Sequence, residues 1–236
     1  MSKKTIYHGS EIIIEKPELT AGKMTNDFGR GFYCTEDREL AGEWACKKDS
    51  DGFINVYELD CDGLNVLDLN GGEYNVLNWI AILLQYRTFR IDAPIAQDAK
   101  EYLLANYAVD IEPYDIVVGY RADDSYFSYA MAWLSNRISI HQLSQALVLG
   151  QLGEQIVLRS DKAIEALKYV GSESVSKSDY YPQFFARDSK ARKDYHKISG
   201  KFDTSKNALY MLDILREEVG PDDPRIQQFV SRGRKA

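Results

Sequence analysis

The chain's strongest constraint is the irregular stretch that separates two short extended runs near its start. Thr5 to Tyr7 reads as a strand entering the turn His8-Gly9-Ser10, a second extended piece falls at Ile12 to Ile14, and Gly31 to Thr35 reads as the next strand. Between them, Pro17 to Arg30 contains glycines and follows neither a helical nor an alternating period, so it is expected to be a loop lying over a cleft. One rim of that cleft would carry the His8-Gly9 pair and the other Phe32-Tyr33, with Trp44 eleven residues past Tyr33. A histidine and two aromatic rings suit a flat ring and a ribose hydroxyl. Each residue also has a plainer reading: His8 as a satisfied loop residue, Tyr33 and Trp44 as core aromatics.

Beyond the first loop, Thr35 is the expected cap of a helix from Glu36 to about Lys48. Phe53 to Leu59 alternates as a strand, and Leu64 to Leu69 follows as another. Tyr74 to Phe89 is an apolar helix, and Pro94 heads a further one reaching Tyr107. Tyr114 to Tyr120 is the clearest buried strand, followed by helices at Ser125 to Asn136 and Ile140 to Val148. Glu154 to Leu158 and Tyr169 to Ser174 read as strands around a short helix at Ala163 to Leu167. From Ser178 the pattern is helical and charged, as Tyr180 to Ile198, Asn207 to Val219 and Asp223 to Val230. The expected organisation is an α+β domain over residues 1–175 and a helical extension over 176–236.

With 236 residues and 44% hydrophobic side chains, the chain has material for a sizeable core. A net charge of −7 argues against broad non-specific nucleic-acid binding, which needs a basic surface to displace counterions. Arg187, Lys190, Arg192, Lys193, Lys197 and Lys201 form a local exception, read either as a solvated helix face or as a surface for RNA or an acidic partner. Arg232, Arg234 and Lys235 add a basic tail. The three cysteines, Cys34, Cys46 and Cys61, form neither an even disulfide set nor a zinc spacing, and fit a reducing compartment. His141 and His196 have no partner at metal spacing, so no metal is expected. No run is long enough for a secretory signal or a membrane span, which points to the cytoplasm or to export by a route without an N-terminal signal.

Five ordered blocks carry a resemblance: Tyr7 to Ser10, Asp27 to Thr35, Trp44-Ala45, Tyr114 to Asp124 and Gln155 to Leu158. Over roughly residues 3–175 the chain resembles the ADP-ribosyltransferase superfamily, and more closely an uncharacterised bacterial group of transferase-like proteins. The resemblance implies a split β-sheet core and NAD as co-substrate. It places His8 on the adenosine ribose and Gly9, with Ser10 beside it, where backbone groups grip the nicotinamide amide. It also places Phe32-Tyr33 against nicotinamide, with Trp44 as the second aromatic of a ring sandwich.

The same resemblance expects an acid, usually glutamate, at the start of a late strand, where it binds a ribose hydroxyl and stabilises the oxocarbenium-like transition state. Gln155 occupies that place and brings no charge. Glu154 is adjacent, but side chains alternate along a strand, so only one of the two faces the cleft. Gln155 and Val157 toward the ligand, with Ile156 and Leu158 toward the core, is the register that suits the chemistry. Asp123 or Asp124 are alternative sources of the acid, or cap the helix that follows. Asp27 and Arg30 read equally as a loop salt bridge or as ligand contacts, and Cys34 lacks an identifiable base.

What the resemblance implies is an NAD-dependent mono-ADP-ribosyltransferase, a toxin or defence effector, with His8, Tyr33 and Gln155 carrying catalysis. The macromolecular target (protein, RNA or DNA) is not legible, and the helical extension would position it or hold an antitoxin. A quiescent NAD- or ADP-ribose-binding domain is the alternative, and an interaction protein working through the basic helix is another.

Overall fold

The computed structural model describes residues 3–91, 93–122, 124–148, 153–205 and 208–227, with the side chains at 124–126 and 147–148 outside the description. The chain is mixed α+β and divides into two compact units interleaved along the sequence. The first comprises residues 1–68, 110–121 and 153–187; the second comprises 69–109, 122–152 and 188–236. A single cut at residue 175 therefore does not follow the contacts: the expected first domain contributes to both units, and so does the expected extension.

The first unit contains every described strand, arranged in two sheets. Strands β1 (Lys3–Ser10), β3 (Gly52–Asp60) and β7 (Leu167–Val175) form an antiparallel sheet in the order β1-β3-β7. The other sheet has the order β2-β6-β5-β4, built from β2 (Phe32–Cys34), β4 (Val66–Asp68), β5 (Ile116–Tyr120) and β6 (Glu154–Leu158). Only β4 and β5 run parallel. The sheets meet where Tyr7 and Thr35 exchange both backbone hydrogen bonds, at 2.8 and 2.9 Å, and separate beyond that pair.

One core lies under both sheets, with Ile6, Phe32, Cys34, Tyr57, Ile156 and Leu158 buried together. The opposite face of β1 and β3 is covered by helix α1 (Arg38–Ala45), through Ala41, Ala45 and Ile54. That helix is shorter than its sequence suggests, and its cap is Asp37 rather than Thr35. The Asp37 carboxylate accepts from the N–H groups of Glu39 (2.9 Å) and Leu40 (3.2 Å). Thr35 is held instead by its backbone pair with Tyr7, and its hydroxyl accepts from the Asp37 N–H. Ile12 to Ile14 is not a strand. Its backbone is fastened by the buried Asn55 amide, which accepts from Ile14 N–H at 2.8 Å and donates to Ile12 O at 3.2 Å.

Among the described residues the second unit is helical. It holds α2 (Val76–Tyr86), α3 (Pro94–Tyr107), α4 (Asp124–Leu134) and α5 (Ile140–Val148). In the first unit, α6 (Asp161–Glu165) links β6 to β7. Helix α7 (Lys177–Ser199) begins in the first unit and continues in the second, followed by α8 (Met211–Glu217) and α9 (Pro224–Gln227). Asn75 caps α2 through a box with Asn78, and seven α2 residues are buried, so that helix is central to its unit. No helix among the described residues is long and apolar enough to cross a membrane.

Candidate functional site

His8 lies on β1 one residue past the point where the sheets join. Its Nδ1 sits 2.7 Å from the Tyr33 carbonyl oxygen, which can only accept, so Nδ1 carries the proton and Nε2 is the acceptor. The imidazole stacks on Phe32, centroids 4.4 Å apart at 29°. Burial lowers the pKa of His8, and the bond to Tyr33 partly opposes that shift, so the ring is held neutral. Phe32 itself is core: it is buried, with Tyr57 against its edge at 5.6 Å.

Gly9 is required for close approach. A Cβ there would stand 1.9 Å from Ala41 O and 2.7 Å from Ala45 N, inside the backbone of α1. Its backbone direction follows from strand alternation. Tyr7 points its N–H and C=O toward Thr35, so Gly9, two residues on, points its own to the same side, beyond the end of the pairing. These two groups face the opening between the sheets, where no described strand meets them. Ser10 does not share that freedom. Its hydroxyl donates to Ile12 O and accepts from Asn55 Nδ2 at 3.0 Å.

Tyr33 pairs with Val157 across β2 and β6 and shares a sheet face with Gln155. Its phenol donates to Gly29 O at 2.7 Å and accepts from Phe28 N–H at 3.0 Å. Gln155 reaches the same segment, its Nε2 lying 3.0 Å from Asp27 Oδ2. The expected loose loop is therefore pinned at Asp27 to Gly29, all three buried, with Gly29 at φ 72° in the left-handed region. Asp27 meets Gln155, and the loop salt bridge to Arg30, one of its two sequence readings, does not form; Arg30 is exposed.

Trp44, on α1, carries the Arg121 guanidinium over its ring at 5.2 Å from the centroid. One ring face is thus covered by a cation from the chain itself, and the indole Nε1–H is buried without a hydrogen-bond partner. Among the expected residues, the structure brings His8 against Phe32 and Tyr33, and places Gln155 on the Tyr33 face. Trp44 makes no ring contact or hydrogen bond with Tyr33; its ring contact is with Arg121. Asp123 lies outside the described residues, as does the side chain of Asp124. Glu154 occupies the opposite face of β6 from Gln155.

Cys34 is fully buried, and burial pushes its thiol pKa well up, so it is no nucleophile. Among the described residues no group of histidines, cysteines and carboxylates is arranged to hold a metal. A cavity of about 380 Å³ lies elsewhere in the first unit, lined by Arg38, Asp51, Ser174 and Tyr180 among others. Its cation is already engaged by Glu173 and the Tyr180 hydroxyl. On α7, Lys190, Arg192 and Lys197 pair with Asp194 and Asp188 within the helix, and Arg187 pairs with Glu43.

Two contributors carry no role in the sequence reading: Asn55, one more residue of an alternating strand, and Arg121, at the end of the Tyr114 to Tyr120 strand. Asp27 stands out in the sequence, but its pairing with Gln155 does not. None of these pairings has a local signal, because the partner of each is distant in sequence.

The fold and site define an α+β protein whose two sheets part beside a neutral histidine and a buried glutamine. Residues 4–169 match the family described as Protein of unknown function (DUF3990), and the chain belongs to that family. No curated protein and no solved structure matches the chain.

Proposed function

We propose that this chain is an NAD-dependent mono-ADP-ribosyltransferase. The observation that carries the reading is the parting of the sheets after Tyr7 and Thr35. It leaves the Gly9 N–H and C=O facing an opening, with His8 on one side and the Tyr33 and Gln155 face of β2 and β6 on the other. A carboxamide such as that of nicotinamide offers one donor set and one acceptor, which is what an adjacent backbone C=O and N–H recognise. The His8 Nε2 accepts from a ribose hydroxyl. Gln155 accepts from the hydroxyl next to the reacting carbon.

In the reaction, the bond between C1′ and the nicotinamide nitrogen breaks with its electron pair leaving on nicotinamide. C1′ then bonds to a nucleophile of a protein, RNA or DNA target, whose proton passes to solvent. The protein contributes orientation and dipoles aimed at the charge that develops on the ribose. Action in the cytoplasm, as a toxin or defence effector with or without an antitoxin, fits the three free cysteines and remains part of the proposal.

A second reading, a domain that binds NAD or ADP-ribose without turnover, is favoured by the uncharged Gln155. The interaction-protein reading gains nothing from α7, whose basic residues are largely paired with acids. The deciding experiment is mass spectrometry of nicotinamide release from NAD, with calorimetry of NAD binding, for wild type and His8→Ala. Release that His8→Ala abolishes supports the transferase, and binding without release supports the second reading. No binding at millimolar NAD overturns both.

A further inference from the structure

Gln155 is buried, and both N–H bonds of its amide have acceptors. Nε2 lies 3.0 Å from Asp27 Oδ2 and 3.2 Å from the Tyr120 carbonyl. Two acceptors around one end of an amide leave no ambiguity about which end is nitrogen. Oε1 has no hydrogen-bond partner and is not among the buried polar atoms closed off from solvent. The side chain is therefore a one-way device: it cannot donate outward, because its donors are held, and it presents a single acceptor.

We propose that Asp27 is the positioning residue of this site, holding the Gln155 amide with its oxygen outward and polarising that oxygen toward an incoming hydroxyl. The idea rests on the transferase reading for its ligand, but not for the lock itself. A carboxylate accepting from an amide N–H draws electron density toward the carbonyl oxygen, and low surrounding polarity strengthens the effect. The charge missing at position 155 is thus supplied one bond network away. The tie also explains why Asp27 is buried at the start of Asp27-Phe28-Gly29: Tyr33 fixes the loop through the Phe28 and Gly29 backbone, so the carboxylate cannot drift from the amide.

Restoring an acid by Gln155→Glu removes both donors and sets a second carboxylate against Asp27 and the Tyr120 carbonyl. Activity should fall, not rise.

The test uses the full chain and two independent readouts. The first needs no ligand: nitrogen-15 NMR of the Gln155 side-chain amide, comparing proton exchange in wild type, Asp27→Asn and Asp27→Ala. Both amide protons should be protected in wild type. Protection should persist in Asp27→Asn, which keeps an acceptor oxygen, and be lost at one proton in Asp27→Ala. The second is nicotinamide release from NAD: about a 10-fold loss of turnover in Asp27→Asn with KM within about twofold, and about a 100-fold loss in Asp27→Ala. Protection unchanged by Asp27→Ala, or a gain of release in Gln155→Glu, overturns the inference. If wild type neither binds NAD nor releases nicotinamide, the transferase reading fails, and the exchange measurement alone decides the lock.

Discussion

The two units each contain a buried glutamine, and the pair differ at one atom. In the helical unit, Gln142 donates from Nε2 to Ile198 O at 2.7 Å and Lys201 O at 2.8 Å, and its Oε1 accepts from Ser139 N–H at 3.0 Å. In the sheet unit, Gln155 also uses both donors, but its Oε1 has no partner. Gln142 ties its own unit together, with both donors and its carbonyl oxygen engaged by the chain. Gln155 keeps an acceptor in reserve. That oxygen is not sealed from solvent, so it lacks a partner within the chain without the full penalty of a buried orphan. The two glutamines therefore differ by one oxygen that has no partner within the chain.

Three substitutions bear on that comparison. The largest expected effect is on turnover. Gln155→Met should lower nicotinamide release by about 100-fold or more, the scale of losing one transition-state hydrogen bond. Gln142→Met, assayed well below its melting temperature, should stay within about twofold of wild type. Equal losses in the two variants would erase the distinction.

Next comes stability. Gln142→Met strands the Ser139 N–H and two carbonyls, and should cost about 2–4 kcal/mol in urea unfolding. A cost under about 0.5 kcal/mol would mean that water replaces the side chain without penalty. The third substitution separates location from chemistry. Asn55 lies in the sheet unit with Gln155, yet its amide is engaged at both ends, by Ile14 N–H, Ser10 Oγ, Ile12 O and, at 3.3 Å, His8 O. Asn55→Ala should therefore behave like Gln142, costing about 1–3 kcal/mol. It should also expose residues 11–14 to faster hydrogen exchange. Unchanged exchange there would break the assignment.

The ease of reading these amides from sequence differs in the same way. Ser139-Ile140-His141-Gln142 has the spacing of a capping box, with Gln142 N–H on Ser139 Oγ at 3.1 Å, so that half of its bonding is local to a helix start, while its bonds to Ile198 and Lys201 are not. The pairing of Gln155 with Asp27 spans 128 residues and leaves no periodic trace. Elements fixed by short-range patterns were legible: α3 begins at Pro94 and ends at Tyr107, and β6 spans Glu154–Leu158, as their sequences suggest. The alternation along β6 correctly put Ile156 and Leu158 in the core and Gln155 on the other face. Elements decided by distant partners were not. Ile12 to Ile14 looks extended, but its backbone bonds go to Asn55 and Tyr57 side chains rather than to a strand. Thr35 looks like a cap, but Tyr7 had already claimed its backbone. Contiguity misled in one further respect, since the two units are assembled from interleaved segments.

The smallest effect expected concerns His8, the other group in the sheet unit that presents an acceptor. Burial holds its pKa below the ordinary 6.5, with the Tyr33 carbonyl opposing only part of the shift. The unfolded chain therefore takes up a proton near 6.5, while the folded chain resists it until a lower pH. Between those two values the unfolded chain holds more protons, so stability falls as pH falls; above 6.5 the contribution is complete. His8→Gln cannot titrate, and its amide can still donate to Tyr33 O. Between about pH 7.5 and about pH 5, wild type should lose more melting temperature than His8→Gln. Parallel losses would mean that protonated His8 is accommodated without cost, and that its Nε2 is not reserved as an acceptor. A greater loss in wild type would give the unit two acceptors, Nε2 of His8 and Oε1 of Gln155. Both would await donors from outside the chain, and a ribose with its adjacent hydroxyls can supply them.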